Sequence, residues 1–293
     1  MTPAEPEAAT RAATLPSGVR HLRYTALTTS FEIESNSLDA LQAVDFQYGH
    51  MRAPAQESSA AVGVKVDVRE GEEPGSFELT VGSNPGVEVP GIGHLLHELD
   101  NQLSHALQHV VPGLYFVHSA CLAKGNSGSM IMGESGAGKS TTAFALATRG
   151  LRYLSDELSP IDPENRKVLP YPRALCLKND PPAPLELPSD CLRSDWTLHV
   201  QPTALGADVT LEPAELHRIV FLCHAPDRER ARLTRMSSSE AAMRLYQNSL
   251  NQLAHSADGL DEAIAFVSGA ECFQLERGGV EDTLDALAEA NVL

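Results

Sequence analysis

Gly133-Glu134-Ser135-Gly136-Ala137-Gly138-Lys139-Ser140 has the spacing G-x-x-x-x-G-K-S. That spacing is the full Walker A pattern of a loop that wraps phosphate. Glycines at these positions let backbone N–H groups turn inward and approach phosphate oxygens closely. A helix starting at the lysine would point unpaired N–H groups and partial positive charge at the same anion. Lys139 would then neutralise the β- and γ-phosphates, and the Ser140 hydroxyl would ligate Mg²⁺. Together with Thr141, residues 133–141 form the expected nucleotide-binding set, with ATP and Mg²⁺ as the ligands. The Lys139 side chain is expected to be solvent-accessible without nucleotide.

Asp156 and Glu157 follow at a distance that geometry can interpret. A helix from Lys139 to Arg149 descends about 16 Å at 1.5 Å per residue. A strand over 151–155 returns about 16 Å at 3.3 Å per residue. The carboxyl end of that strand therefore lies beside the phosphate loop, where open α/β sheets bind ligands. A carboxylate there could hold Mg²⁺ or accept a hydroxyl proton, so Asp156, Glu157 and Ser140 are the candidate metal ligands. His118 precedes the loop strand. A hairpin centred near Asn126 would pair His118 opposite Glu134, beside the loop. The strand "IVFLCH" ends in His224 rather than an acidic residue, which argues against the Walker B arrangement of motor ATPases.

The elements that would position these residues belong to an α/β domain. "LYFVHSACLA" and "SMIM" read as strands before the loop, and "STTAFALATRG" as the helix after it. "HRIVFLCH" reads as a buried strand. Ser237-x-x-Glu240 is a capping box opening a helix to about Leu253. Two further helices, "DGLDEAIAFVSGA" and "VEDTLDALAEANVL", flank a strand "ECFQLER". Strands alternating with helices indicate the α/β class. Upstream, Val62, Val64, Val66 and Val68 alternate with polar residues, as do Phe77, Leu79 and Val81, which predicts a hairpin with one buried face. "TSFEIES" is another expected strand. An amphipathic helix follows, with Ile92, Leu95, Leu96, Leu99, Leu103, Ala106, Leu107 and Val110 on one face. Its four histidines, His94, His97, His105 and His109, cluster opposite and read as a solvated polar face. The resulting division is a disordered tail at 1–20, a β-rich N-terminal module with the amphipathic helix at 21–110, and the phosphate-loop domain at 111–293.

Composition narrows the partners. Asp and Glu number 39 against 22 Lys and Arg, a formal net charge of −17. Such a balance repels phosphate backbones, so nucleic acid is not an expected partner. No apolar run of about 18 residues predicts a membrane span. The N-terminal residues have no apolar core of a secretory signal. The five cysteines are odd in number and scattered, which fits reduced thiols and a cytoplasmic location.

The stretch "VHSACLA…GESGAGKSTTAFALATRGLRYLSDELSPID" resembles the HPr kinase/phosphorylase family, more closely its HPr kinase-related branch. The shared pattern is a histidine about 15 residues before the loop, the loop with G-K-S, an R-G-x-R segment and an acidic pair. Here these are His118, Gly133–Ser140, Arg149-Gly150-Leu151-Arg152 and Asp156-Glu157. The resemblance continues through "PYPRALCLKND", "HRIVFLCH" and "SSSEAAMRLYQNSLN", spanning roughly residues 95–290. It implies a fold similar to the P-loop kinase domain of phosphoenolpyruvate carboxykinase, and phosphoryl transfer from a nucleotide to a serine hydroxyl. It also implies Asp156 as general base, with His118 and Lys139 as the other catalytic residues. Thr141 departs from the acidic residue that usually follows G-K-S in HPr kinases. The C-terminal signature tied to phosphorylase activity has no counterpart here. HPr is therefore not the implied substrate, and some relatives in this branch act on ribosomally made peptides, lasso peptides among them.

Three functional readings follow. The first is an ATP-dependent kinase of a serine on a peptide or protein partner. A kinase of a small-molecule alcohol shares every feature. A nucleotide-binding regulatory protein without transfer activity is the third, and Thr141 favours it. The acceptor and the oligomeric state, a homo-oligomer included, stay open.

Overall fold

The computed structural model describes residues 20–53, 62–223 and 230–292. The tail, apart from Arg20, and His224 lie outside them. The fold is mixed α/β with three sheets. The first comprises β1 (His21–Ala26), β2 (Thr29–Ser35), β3 (Val64–Glu70), β4 (Phe77–Val81) and β5 (Val87–Val89), in chain order. The expected hairpin is β3–β4, antiparallel, with Val64, Val66, Val68, Phe77, Leu79 and Val81 all buried. Helices α1 (Leu38–Tyr48) and α2 (Ile92–Val110) complete this part. In α2, Leu95, Leu96, Leu99, Leu103 and Leu107 are buried as their spacing requires. Each contributes roughly 1.5–3 kcal/mol of burial. Val110 departs from the expected face and is exposed, because the helix ends there. This core also takes in Leu114, Phe116, Leu158 and Tyr171 from the following sheet.

That larger sheet contains β6 (Tyr115–His118), β7 (Ala120–Lys124), β8 (Ser127–Gly133), β9 (Arg152–Ser155), β10 (Leu158–Asp162) and β11 (Lys167–Val168). After the loop comes α3 (Lys139–Thr148). A small antiparallel sheet follows, of β12 (Leu175–Leu177), β13 (Cys191–Arg193) and β14 (Leu198–Val200). The chain then returns to the large sheet with β15 (Ala214–Cys223), β16 (Arg232–Arg235), α4 (Ser238–Gln247), α5 (Leu260–Ser268), β17 (Glu271–Glu276) and α6 (Val280–Glu289). The capping box at α4 forms, with the Ser237 hydroxyl accepting from the Glu240 N–H, but α4 stops at Gln247 rather than near Leu253. Within the large sheet β8, β15 and β17 run parallel, joined by long crossovers, and in the first sheet β2 and β3 are also parallel. The other described pairings of the large sheet are antiparallel, where short connections suffice.

The large sheet is covered on both faces, so its strands read as continuous apolar runs. Along β7, Ala120 and Leu122 face α3 and α6, while Cys121 and Ala123 face α4 and α5. No described helix is long and apolar enough to cross a membrane. All five cysteines are free thiols.

Two features differ from expectation. The segment 114–123 is two strands rather than one. β7 forms the hairpin with β8 around Gly125-Asn126, pairing Ala120 with Ile131. β6 instead pairs with β10, so His118 lies opposite Leu158 and not Glu134. The chain changes neighbours at Ser119, because the pairing edge of β7 is taken by β9 while β6 continues along β10. The four helical histidines are not uniformly solvated either. His97, His105 and His109 are exposed, but the rings of His94 and His97 pack against Trp196, their centroids 5.5 and 4.7 Å from it.

Candidate functional site

Residues 133–141 join β8 to α3 as a strand–loop–helix unit. Gly133 (φ 152°) sits so close to β15 that a Cβ would meet the Leu222 carbonyl at 2.7 Å. Gly138 (φ 95°) caps α3 in the left-handed region, where a side chain is strained. Glu134, Ser135 and Gly136 are exposed, Ala137 is buried, and Ser140 and Thr141 are partly exposed. Lys139 is buried, contrary to the expected exposed lysine. Its ammonium donates to the Gly133 carbonyl at 2.8 Å, because the loop curls over its own first residue. Burial lowers the Lys139 pKa, Glu157 raises it, and Lys178 lowers it further. Lys178, just past β12, reaches the loop, with Nζ 3.3 Å from the Ser135 hydroxyl.

Asp156 and Glu157 are the two residues between β9 and β10. The jump between these strands faces the jump at Ser119, since Cys121 pairs with Ser155 and His118 with Leu158. That is why His118 meets an acidic residue. Its Nδ1 lies 3.0 Å from Glu157 Oε1. The His118 backbone N–H is anchored on the Asn248 carbonyl at the end of α4.

Arg173 ties the acids together, and no sequence argument named it. It is buried, with Nη2 3.3 Å from Asp156 Oδ1 and 3.5 Å from Glu157 Oε2. Its Nε lies 3.5 Å from Asp100 Oδ1 on α2. Asp100 also accepts from the Tyr48 hydroxyl at 3.0 Å, so α1 and α2 contribute to the site from behind. The signal was present in "YPRALCL", an arginine inside an apolar run. Arginine is rarely buried unless paired.

The two carboxylates are electrostatically unlike. Asp156 is fully buried, and its Oδ2 accepts from the Cys176 N–H at 2.9 Å. Oδ1 has the Arg173 charge nearby but no hydrogen-bond donor. Burial pushes Asp156 up to about 6; Arg173 opposes this and the Glu157 charge adds to it. Partial burial would raise Glu157 too, but the His118 hydrogen bond and the charges of Arg173, His118 and Lys139 hold it at about 2. Environments that push neighbouring acids apart mark distinct acid–base roles.

The metal expectation fits only in part. Among the described residues no group of three or more His, Cys, Asp or Glu could hold an ion unaided. Asp156 already has the Arg173 charge 3.3 Å from Oδ1, which disfavours a second cation there. Ser140 and the half-exposed Glu157 are the donors that a phosphate-bound Mg²⁺ could use.

The structure brings His118 and Glu157 together and couples Glu157 to the loop lysine. Replacing His118 by Ala should release Glu157. Turnover is expected to fall about 10- to 100-fold through misplacement, with nucleotide affinity nearly unchanged. Single-turnover kinetics alongside calorimetry would test this; wild-type turnover in His118→Ala would leave the histidine a purely structural role.

No family model matches the chain, and no curated protein matches it. Among solved structures, the HPr(Ser) kinase/phosphatase from Coxiella burnetii is similar at 15% identity and a TM-score of 0.30, over 60% of this chain and 94% of that one. A likeness that loose carries no argument about activity.

Proposed function

We propose that the protein is a phosphotransferase that moves the γ-phosphate of ATP to a hydroxyl, with a serine of a peptide or protein as the acceptor. The observation that carries this reading is electrostatic. In a chain of net charge −17, two ammonium groups, Lys139 and Lys178, converge on one glycine loop that opens a helix. One member of an acid–base-competent carboxylate pair, Glu157, lies within electrostatic reach of the same lysine. Cations gathered against the net charge suit a polyanion.

In this reading the loop N–H groups and Lys139 bind the polyphosphate, and the ammonium turns from the Gly133 carbonyl to do so. Ser140 and Glu157 would hold Mg²⁺, which supplies charge neutralisation at the phosphoryl oxygens. Asp156 Oδ1, a buried carboxylate oxygen without a donor, takes the proton of the acceptor hydroxyl. A base with a pKa near 6 is ionised at neutral pH yet still basic enough to bind that proton. Arg173 keeps the ionised form of Asp156 affordable, and His118 fixes Glu157.

A second assignment has its own support. Glu157 is the exposed member of the pair, 42% exposed, and it is the one coupled directly to Lys139. Under that assignment Glu157 meets the acceptor and Asp156 only holds Arg173. Comparing Glu157→Gln with Asp156→Asn separates the two.

The overall reading is tested by incubating the protein with γ-labelled ATP, Mg²⁺ and a panel of serine peptides and small alcohols. Label on a serine peptide is the expected result. Label only on a small alcohol would make the acceptor class small molecules. Nucleotide binding with no transfer to any acceptor would support the regulatory reading. Lys139→Met keeps the side-chain volume but removes the charge. It should weaken ATP binding about 10- to 100-fold, the worth of a charge-assisted hydrogen bond. Because burial already disfavours the ammonium, the variant should melt no lower than wild type. Undiminished affinity by calorimetry would sink the phosphate-loop assignment.

A further inference from the structure

A third cation stands at the loop, and no motif points to it. Arg277 follows directly after β17. In the sheet, Gly133 pairs with Leu222 of β15, and Leu222 pairs with Leu275 of β17. Arg277 is two residues beyond Leu275, so it leaves the sheet at the edge where the phosphate loop begins. Its guanidinium lies against Gly138, where a Cβ would collide with Nη1, Cζ and Nη2. Gly138 is thus required twice, by its φ and by this close approach.

Arg277 is partly buried, and its Nε is enclosed without a hydrogen-bond partner. No carboxylate among the described residues pairs with it. This is unexpected in a chain with 39 acidic and 22 basic residues, where counter-charges are abundant. By contrast Arg149, on the far side of α3, is neutralised by Glu281 at 2.8 Å. An enclosed cation without a counter-charge is costly unless an anion visits it. Burial lowers the Arg277 pKa, which is the direction expected for a cation lacking its partner.

We propose that Arg277 is a phosphate-binding residue, its planar guanidinium engaging non-bridging oxygens of the nucleotide's polyphosphate beside Gly138. The inference rests on the phosphate-loop reading above. A guanidinium suits the position because its fixed fork can hold two phosphate oxygens at once, which an ammonium cannot.

The test is calorimetric titration of the full chain with MgATP, comparing wild type, Arg277→Gln and Arg277→Lys, with melting curves recorded without nucleotide. Arg277→Gln should weaken MgATP binding about tenfold or more. Arg277→Lys should recover part of that loss, since it restores the charge but not the fork. Neither variant should melt lower than wild type, because no carboxylate among the described residues pairs with the charge. Wild-type affinity in Arg277→Gln, with affinity lost in Lys139→Met, would overturn the proposal and leave the phosphate loop standing. Absence of nucleotide binding by wild type would overturn both. If Arg277→Gln does not fold, Arg277→Lys decides alone: a several-fold loss supports the contact and wild-type affinity removes it.

Discussion

Asp156→Asn is expected to slow phosphoryl transfer by about 10²- to 10⁴-fold while making the fold more stable above pH 6. The two effects have one cause. Burial raises the Asp156 pKa from 3.8 to about 6, against the combined pull of Arg173 and the Cys176 N–H. A raised carboxylate pKa means that the folded state holds the proton more tightly than the unfolded state. Its contribution to stability is therefore fully present below pH 3.8 and is lost as pH rises through 6. A rise from 3.8 to about 6 corresponds to at most about 3 kcal/mol of destabilisation in the ionised form. Asn keeps the shape and cannot ionise, so it escapes this cost. Denaturant unfolding at pH 5 and pH 8 should show the variant gaining on wild type at the higher pH. Wild-type kcat/KM should rise through pH 6 to a plateau, reporting ionisation of the free enzyme's base. Transfer at the wild-type rate in Asp156→Asn, with transfer lost in Glu157→Gln, would move the base to Glu157. A variant less stable at pH 8 than at pH 5, relative to wild type, would show that the carboxylate is structural.

Arg173→Met should be the most destabilising single change in the site, by about 3–5 kcal/mol near pH 8. The methionine fills much of the space, so the loss is mainly electrostatic. It leaves Asp100, Asp156 and Glu157 facing one another without the guanidinium that each now approaches within 3.5 Å. The pKa values of Asp100 and Asp156, already above the unfolded ones, must then rise further, and the pull of Arg173 that lowers Glu157 is lost. The destabilisation is greatest at high pH and is relieved as pH falls towards the ordinary carboxylate range near 4. Chemical denaturation from pH 8 down to pH 5 is the measurement. A loss that does not change with pH would mean that Arg173 acts by packing rather than as the counter-ion of the acids. Asp100 sits on α2 and its charge raises the Asp156 pKa, so Asp100→Asn should act on Asp156 in the opposite direction to Arg173→Met and lower it. The N-terminal helices thereby act on the chemistry through one buried side chain.

Local chemistry was legible without the structure. The glycine spacing of 133–138, the helix that begins at Lys139 and the strand that returns to Asp156 follow from short-range rules about φ, helix termini and rise per residue. The leucine spacing of α2 predicted its buried face, and the valine alternation predicted β3–β4. In each case the interacting residues are near in sequence, so the period itself carries the information. What needed the tertiary structure was every pairing between distant segments. The neighbour change at Ser119 moves His118 from the loop strand to β10, and no local signal distinguishes a strand that continues from one that changes partners. Lys139 is buried because the loop folds over its own carbonyl. Arg173 reaches three acids from two distant segments, and Arg277 reaches Gly138 across two intervening strand pairings. Their positions depend on register, which is settled when the two faces of the sheet are buried together. The sequence alone therefore determined which residue types could handle a phosphate. The fold decided which of them stand within reach of it, because charge and proximity act through space while motif spacing is read along the chain.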